Sequence, residues 1–313
     1  MKKIDLKGKN IWITGASSGI GASLAKQMNK MGAKVIASAR REKKLIQLKN
    51  ECTYPENLIT IPLDIINQDS IESAVKEVNL LKKLDLVIHN AGIAQKGMVI
   101  ENGMEIDRRI METNYFGTVA LTKAILPMFL NQGYGWFGVV SSFAGVLGVP
   151  GRSAYAASKH ALHGFFDSLK AEHMGCKLDV SIIIPGFINT NITIKELKGN
   201  GEAYGKVEKS HRLGMTADQC ATGIIDGLRK KQKRIIVGKI EVLLLYIKRI
   251  SPALSHYIIS SHPMKKWRQL VSGVKTALNY IPNLFRESIQ TQPQAKVSTF
   301  IIEDSKKFGR KIA

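Results

Sequence analysis

A chain of 313 residues with 44% hydrophobic and 23% charged residues has the make-up of a folded globular protein, which excludes disordered, fibrous and collagen-like classes. Its net charge of +21 is uneven: residues 1–191 carry 23 Lys+Arg against 16 Asp+Glu (+7), and residues 192–313 carry 23 against 9 (+14). A basic half of this kind suits nucleic acid or an anionic membrane surface equally well, while three scattered cysteines (Cys52, Cys176, Cys220) rule against a disulfide framework and no His/Cys cluster has metal-ligand spacing.

In chain order, the basic N-terminus lacks the apolar core of a signal peptide, so the expected location is cytoplasmic. The first apolar run, NIWITGA (10–16), leads into TGASSGIG (14–21), a Gly-rich turn that opens a helix over 23–32. Glycines 15, 19 and 21 would clear Cβ atoms from the path of a pyrophosphate approaching backbone N–H groups, with Ser17, Ser18 and Ile20 beside it. The second run, KVIASAR (34–40), ends where an NAD-selective site would carry a carboxylate for the ribose 2′-hydroxyl; Ala39 and Arg40 stand there, with Arg41 next. A guanidinium suits a 2′-phosphate, so the expected cofactor is NADP(H), without a metal.

Further runs at 57–64, 84–92, 136–142 and 179–186 are short, Val/Ile-rich and non-alternating, as in strands buried on both faces, and helix-length stretches such as 70–83 and 118–133 separate them. The pattern predicts an α/β fold, a Rossmann-like doubly wound parallel sheet in a single domain with a basic C-terminal extension. The boundary is expected at 238: residues 1–238 form the dinucleotide-binding domain and 239–313 the extension. Residues 195–215 read as a mobile loop or lid, and 216–231 as a helix capped by Thr216, before a last strand at 234–238. Segment 240–267 is apolar but interrupted by Lys248, Arg249 and Pro252, too short in any uncharged run to span a membrane; the tail past about 270 is polar.

TGASSGIG, HNAG (89–92), Asn114, Ser142, Tyr155-x-x-x-Lys159 and Pro185-Gly186 stand in the order and spacing of the short-chain dehydrogenase/reductases, which the chain resembles well from residue 8 to about 191. The resemblance implies Asn114, Ser142, Tyr155 and Lys159 as catalytic residues. Tyr155 would be the general acid/base, Ser142 would bond the substrate oxygen, and Asn114 would hold a water in a proton relay. Lys159, one helical turn from Tyr155, would lower the phenol pKa and hold the nicotinamide ribose. It further implies cofactor contacts from Asp64, Ile65, Asn90, Ala91, Gly92, Pro185, Gly186, Ile188 and Thr190. His89, where the family usually has Asn, is given no role, and His160 and His163 are read as solvent or dimer contacts.

Phe143, Val149, Pro150 and Phe187, being close in sequence to Ser142, Tyr155 and Gly186, are expected to line an apolar substrate cleft. The function expected is oxidoreduction between a lipophilic ketone and its secondary alcohol. The alternative is a dinucleotide-binding regulator or scaffold acting through the basic C-terminal region on a membrane surface. Leu243, Leu244, Tyr246 and Ile247, with Lys248, Arg249, Lys265, Lys266 and Arg268, would lie peripherally on such a surface, whereas no motif supports nucleic acid. A homodimer or homotetramer is expected, because the resemblance implies pairing through the helix before the 136–142 strand and the Tyr155 helix, to which Leu162, Phe165, Phe166 and Leu169 give apolar bulk.

Overall fold

The seven apolar runs become the seven strands of one parallel sheet in a computed structural model, which describes residues 3–190, 196–205 and 212–260. The strands are β1 (Asn10–Thr14), β2 (Lys34–Ala39), β3 (Leu58–Pro62), β4 (Leu86–His89), β5 (Tyr134–Val140), β6 (Lys177–Pro185) and, after a two-residue pair β7 (Ile188–Asn189) and β8 (Met215–Thr216), β9 (Arg234–Val237). Their order is β3-β2-β1-β4-β5-β6-β9, with every neighbour parallel. The order reverses between β1 and β4, which opens a crevice at the C-terminal strand ends, the place where such sheets bind ligands.

Helices α1 (Gly19–Lys30), α2 (Glu42–Asn50) and, near the chain end, α7 (Ala217–Arg229) serve one face; α3 (Gln68–Asn79), α5 (Gly117–Asn131) and α6 (Ser153–Glu172) serve the other. Each face has its own core, one around Ile11, Ile13, Leu24 and Ile224 and one around Trp12, Phe129, Phe137 and Phe166. That is why the strands show no apolar/polar alternation: both pleat directions meet a helix layer. Thr216 caps α7 as expected, its hydroxyl accepting from Gln219 N while the Gln219 side chain accepts from Thr216 N.

Three expectations change. Residues 196–204, read as part of a mobile loop or lid, form a docked hairpin. Leu197 bridges in parallel to Gln95 and antiparallel to Ala203, and Tyr204 N donates to Glu196 O. Leu162, Phe166 and Leu169 are spent in the protomer's own core at 1, 0 and 5% exposure, so they supply no apolar surface for a partner; Phe165 is partly buried against Tyr115 and Phe166. Finally, packing does not break at 238. Residues 240–260 fold as a short turn, α8 (Leu243–Ile250) and α9 (Pro252–Ser260), in one compact unit with the preceding chain. Pro252, favoured at the first position of a helix and unable to donate an N–H to the turn before it, separates the two. Lys265, Lys266, Arg268 and the polar tail lie outside the described residues.

Candidate active site

A cleft of about 380 Å³ runs along the C-terminal strand ends, from the glycine turn between β1 and α1 to the N-terminal part of α6. Gly15, Ser17, Ser18, Gly19 and Ile20 line one end; Ser142, Tyr155 and Lys159 line the other; Arg40, Asp64, Ile65, Asn90, Ala91, Gly92, Pro185, Gly186, Ile188 and Thr190 lie between or beside them. Gly21 and Asn114 stand behind the wall; of the residues expected to line a substrate cleft, Phe143, Val149 and Phe187 border it and Pro150 is exposed outside it. The Phe143 and Phe187 rings are 6.4 Å apart.

The glycine turn is glycine-rich mainly for the protein's own packing. A Cβ on Gly15 would sit 2.8 Å from Ala91 Cα. One on Gly21 would sit 2.5 Å from Asn90 Nδ2 and 2.6 Å from Gly15 O. Asn90 Nδ2 in turn donates to Thr14 O and Gly15 O, and Thr14 Oγ1 accepts from the N–H groups of Asn90 and Ala91, so the turns after β1 and β4 are laced together. Gly19, at φ +60°, adopts the left-handed conformation that glycine tolerates and borders the cleft against Thr190.

At the end of β2 the exposed Arg40 faces the cleft. Arg41, the next residue, reaches back so that Nη2 donates to Ser17 Oγ at 2.8 Å and Ser18 Oγ at 2.9 Å. This places a guanidinium across the mouth of the glycine turn, and no carboxylate stands at 39–41.

At the other end, Ser142 closes β5 and caps a tight turn, its Oγ accepting from Ala144 N at 3.1 Å and hydrogen-bonded to the Tyr155 phenol. The neighbouring Ser141 points away. It is buried, and its Oγ lies 2.7 Å from His163 Nε2 and donates to Lys159 O. His163 is therefore an inward contact rather than a surface one, held neutral by burial with its pKa lowered to about 4. Gly145 lets this turn approach α6, since a Cβ there would clash with Ser141 Oγ and sit 3.0 Å from Lys159 Cβ. Lys159 is 4% exposed; its Nζ donates to Val140 O at 2.9 Å and stands 5.9 Å from the Tyr155 ring centre. Burial lowers its pKa to about 8. Burial also raises the Tyr155 pKa, and the Ser142 bond opposes that only in part, so the phenol keeps its proton at neutral pH. Here burial outweighs the acidifying influence that sequence reasoning assigned to Lys159.

Asn114 sits in a π-helical turn (Glu112–Phe116) between α4 (Met104–Met111) and α5. Its amide is fixed on three sides: Oδ1 accepts from Ile93 N, and Nδ2 donates to Ile93 O and Ser158 Oγ. Asn114 Oδ1 and Lys159 Nζ both crowd Gly92, at 3.0 and 3.5 Å from where a Cβ would stand. The π turn, a device frequent at functional sites, brings this amide to the same glycine that the lysine ammonium borders. His89 is structural: it is buried, pairs with Thr122 Oγ1 at 3.0 Å, stacks on Phe137, and has its pKa lowered to about 3 by burial.

Two further pieces left no readable trace in the sequence. Gln95 Oε1 accepts from Tyr155 N, fixing the start of α6. Arg152 makes a paired contact with Glu196 (2.5 and 3.1 Å), both side chains nearly buried and both lining the cleft beside Tyr155. The partners are 44 residues apart, and nothing local marks either of them.

Among the described residues no group of His, Cys, Asp and Glu could hold a metal, and no helix is long and apolar enough to cross a membrane. The sequence model described as short chain dehydrogenase matches residues 9–201. Among similar proteins, "Dehydrogenase/reductase SDR family protein 7-like" of Drosophila melanogaster is 36% identical over 269 residues, covering 83% of this chain and 82% of that one. "Dehydrogenase/reductase SDR family member 7B" of Xenopus laevis is 33% identical over 272 residues, covering 83% and 84%. Solved structures sharing the fold include a short-chain dehydrogenase/reductase of Burkholderia phymatum in complex with NAD (TM-score 0.70, 20% identity, 80% and 96% covered). Another is a short-chain dehydrogenase of Burkholderia cenocepacia in complex with NADP (TM-score 0.68, 22% identity, 81% and 98% covered). With the sheet order, the glycine turn and the Ser142–Tyr155–Lys159 cluster in one cleft, these matches establish that the chain belongs to the short-chain dehydrogenase/reductase family, whose members are oxidoreductases.

Proposed function

We propose that this chain is an NADP(H)-dependent oxidoreductase interconverting a lipophilic ketone and its secondary alcohol, with Tyr155 as general acid in reduction. The observation that carries the reading is convergence: Tyr155 and Lys159, one turn apart on α6, meet Ser142 from the turn after β5 at the end of a cleft that begins at the glycine turn. The cleft's donors fit a nicotinamide dinucleotide, with guanidinium groups at the turn end and an ammonium at the far end. Such a cofactor, when bound, supplies or accepts the hydride. Tyr155 delivers its phenolic proton to the substrate oxygen, Ser142 donates a hydrogen bond to that oxygen, and the Lys159 ammonium stabilises the phenolate that results. Asn114, fixed by Ile93 and Ser158, holds through the remaining lone pair of Oδ1 a water that links Lys159 to solvent. NADPH oxidation by purified protein against a panel of ketones tests the reaction; no turnover on any ketone or alcohol would remove it.

Preference for NADPH follows from Arg40 and Arg41. A charge-assisted bond to a 2′-phosphate contributes about 1.5–3 kcal/mol. Arg41→Ala or Arg40→Ala should therefore raise the KM for NADPH about tenfold or more and leave the KM for NADH within about twofold. A wild type that uses NADH as well as NADPH would overturn the preference. Lipophilicity of the substrate is supported by Phe143, Val149, Phe187 and Ile93 along the cleft, and by the mutual neutralisation of Arg152 and Glu196.

Peripheral contact with an anionic membrane is supported by α8 and α9. They expose Tyr246, Ile250, Leu254 and Tyr257 (Ile250 at 84%), next to the exposed Arg249, whereas the Lys248 ammonium turns inward to Val146 O. Each basic residue near such a surface contributes about 1 kcal/mol. The full chain should float with phosphatidylserine vesicles, and Ile250→Glu with Tyr257→Glu should cut the bound fraction about tenfold. Equal, weak flotation of both proteins would end the idea. A homo-oligomer, if formed through α5, would use the half-exposed Phe116 and the Tyr115–Phe165 edge beside it.

A further inference from the structure

The segment after β9 does more than follow the sheet. Glu241 is 5% exposed, and its Oε1 accepts from Phe187 N at 3.0 Å and from Lys239 N at 3.1 Å. Its carboxylate occupies the space a side chain would need at Gly186, where a Cβ would clash with Oε1. A Cβ on Gly238 would come within 2.9 Å of the same oxygen. Gly186 is thus glycine because of Glu241, a reason absent from the sequence motif. Two residues earlier, Lys239 Nζ donates to Leu213 O at 2.8 Å and Gly214 O at 3.0 Å, just before β8, which pairs with β7; Met215 N also donates to Phe187 O. Further on, Lys248 Nζ donates to Val146 O, four residues beyond Ser142. Three side chains within ten residues therefore grip three loops at the Tyr155 end of the cleft.

We infer that residues 239–248 brace the active site and that Glu241 is a positioning residue for the Pro185–Thr190 loop, acting through the Phe187 amide. The inference rests on reading that loop as the wall against the nicotinamide. The brace acts at one end of the cleft only, because Gly15–Ile20 and Arg40 receive no contact from it among the hydrogen bonds of the described residues. Losing it should therefore separate turnover from binding at the adenosine end.

The test uses the full chain. Glu241→Ala should speed amide exchange over residues 186–189 at least tenfold, by mass spectrometry, and lower kcat about tenfold. The Kd for 2′,5′-ADP, a probe of the adenosine end alone, should stay within twofold. Glu241→Gln, which keeps an acceptor oxygen at Oε1, should bring kcat back to within about threefold of wild type. Unchanged exchange and kcat in Glu241→Ala, or a Gln variant as impaired as Ala, would overturn the assignment. Should Glu241→Ala fail to fold, Lys239→Met at the exposed end of the brace should still raise exchange at 213–216 and lower kcat severalfold, and no change in either would overturn the brace. A wild type inactive on every ketone would defeat the reading of function, while the exchange comparison would still decide the brace.

Discussion

Replacing Tyr155 with Phe should lower kcat for ketone reduction about a thousandfold, within the 10²–10⁴ range of a positioned acid, while the fold and the affinity for NADPH change little. The ring itself packs against Ile106, Ile110 and Ala154, so Phe keeps the packing and only the hydroxyl is lost. Among the described residues that hydroxyl belongs to the one phenol lining the cleft. Burial holds its pKa above the usual value, so in wild type it stands protonated through the neutral range and ready to donate. Ser142 cannot take over, because an aliphatic hydroxyl is a far weaker acid; it can only hydrogen-bond the substrate oxygen. Ser142→Ala should accordingly cost less, roughly a hundredfold, in line with the loss of one oxyanion donor. Steady-state kinetics on both variants, with calorimetry to check folding, measures this. A Tyr155→Phe enzyme with wild-type kcat would exclude Tyr155 as the acid.

The meeting of Ser142 with Tyr155 illustrates what the sequence carries. Strand positions were legible because β1, β2, β4, β5 and β6 are buried on both faces and so are largely apolar without alternation. The ends of those strands fix which residues meet in the crevice, and so Gly15, Asn90, Ser142, Tyr155 and Lys159 could be placed together from spacing and resemblance alone. What was not legible depends on pairs distant in the chain. The side chain of Glu196 reaches Arg152, that of Glu241 reaches Phe187, and Arg41 turns back on Ser17 and Ser18, each by a contact that no local periodicity announces. The glycines show the same limit from another side. Their positions were read correctly as a turn, but the atoms they avoid at 15, 21 and 186 belong to Ala91, Asn90 and Glu241. Pro150 was placed in the cleft by nearness in sequence to Tyr155, and the turn before α6 carries it outward instead.

Lysine 159 should show activity and stability moving in opposite directions with pH. Its ammonium is nearly buried, with Val140 O as hydrogen-bond acceptor, and burial brings its pKa down from the ordinary lysine value to about 8. Below pH 8 the lysine is charged in folded and unfolded chains alike, and the folded protein bears the full cost of a buried charge. Between pH 8 and the unfolded value near 10.5 the folded protein has released this proton while the unfolded chain still holds it, so stability rises with pH across that window. Activity runs the other way. In the proposed reaction the charged form stabilises the Tyr155 phenolate, so kcat/KM for reduction should fall about tenfold per pH unit above pH 8, a limb reporting the free enzyme. Lys159→Met keeps the aliphatic stem and removes the charge. At pH 7 it should cost at least a hundredfold in kcat/KM, yet raise stability by about 2 kcal/mol, the relieved burial cost less the lost bond to Val140 O. For a domain of this size that is a Tm increase of roughly 4–8 °C. Tm at pH 7 and pH 10 with a pH–rate profile decides the matter: a Met variant less stable than wild type at pH 7, or a wild-type profile flat to pH 10, would show that the buried ammonium is not the group that sets the site's charge.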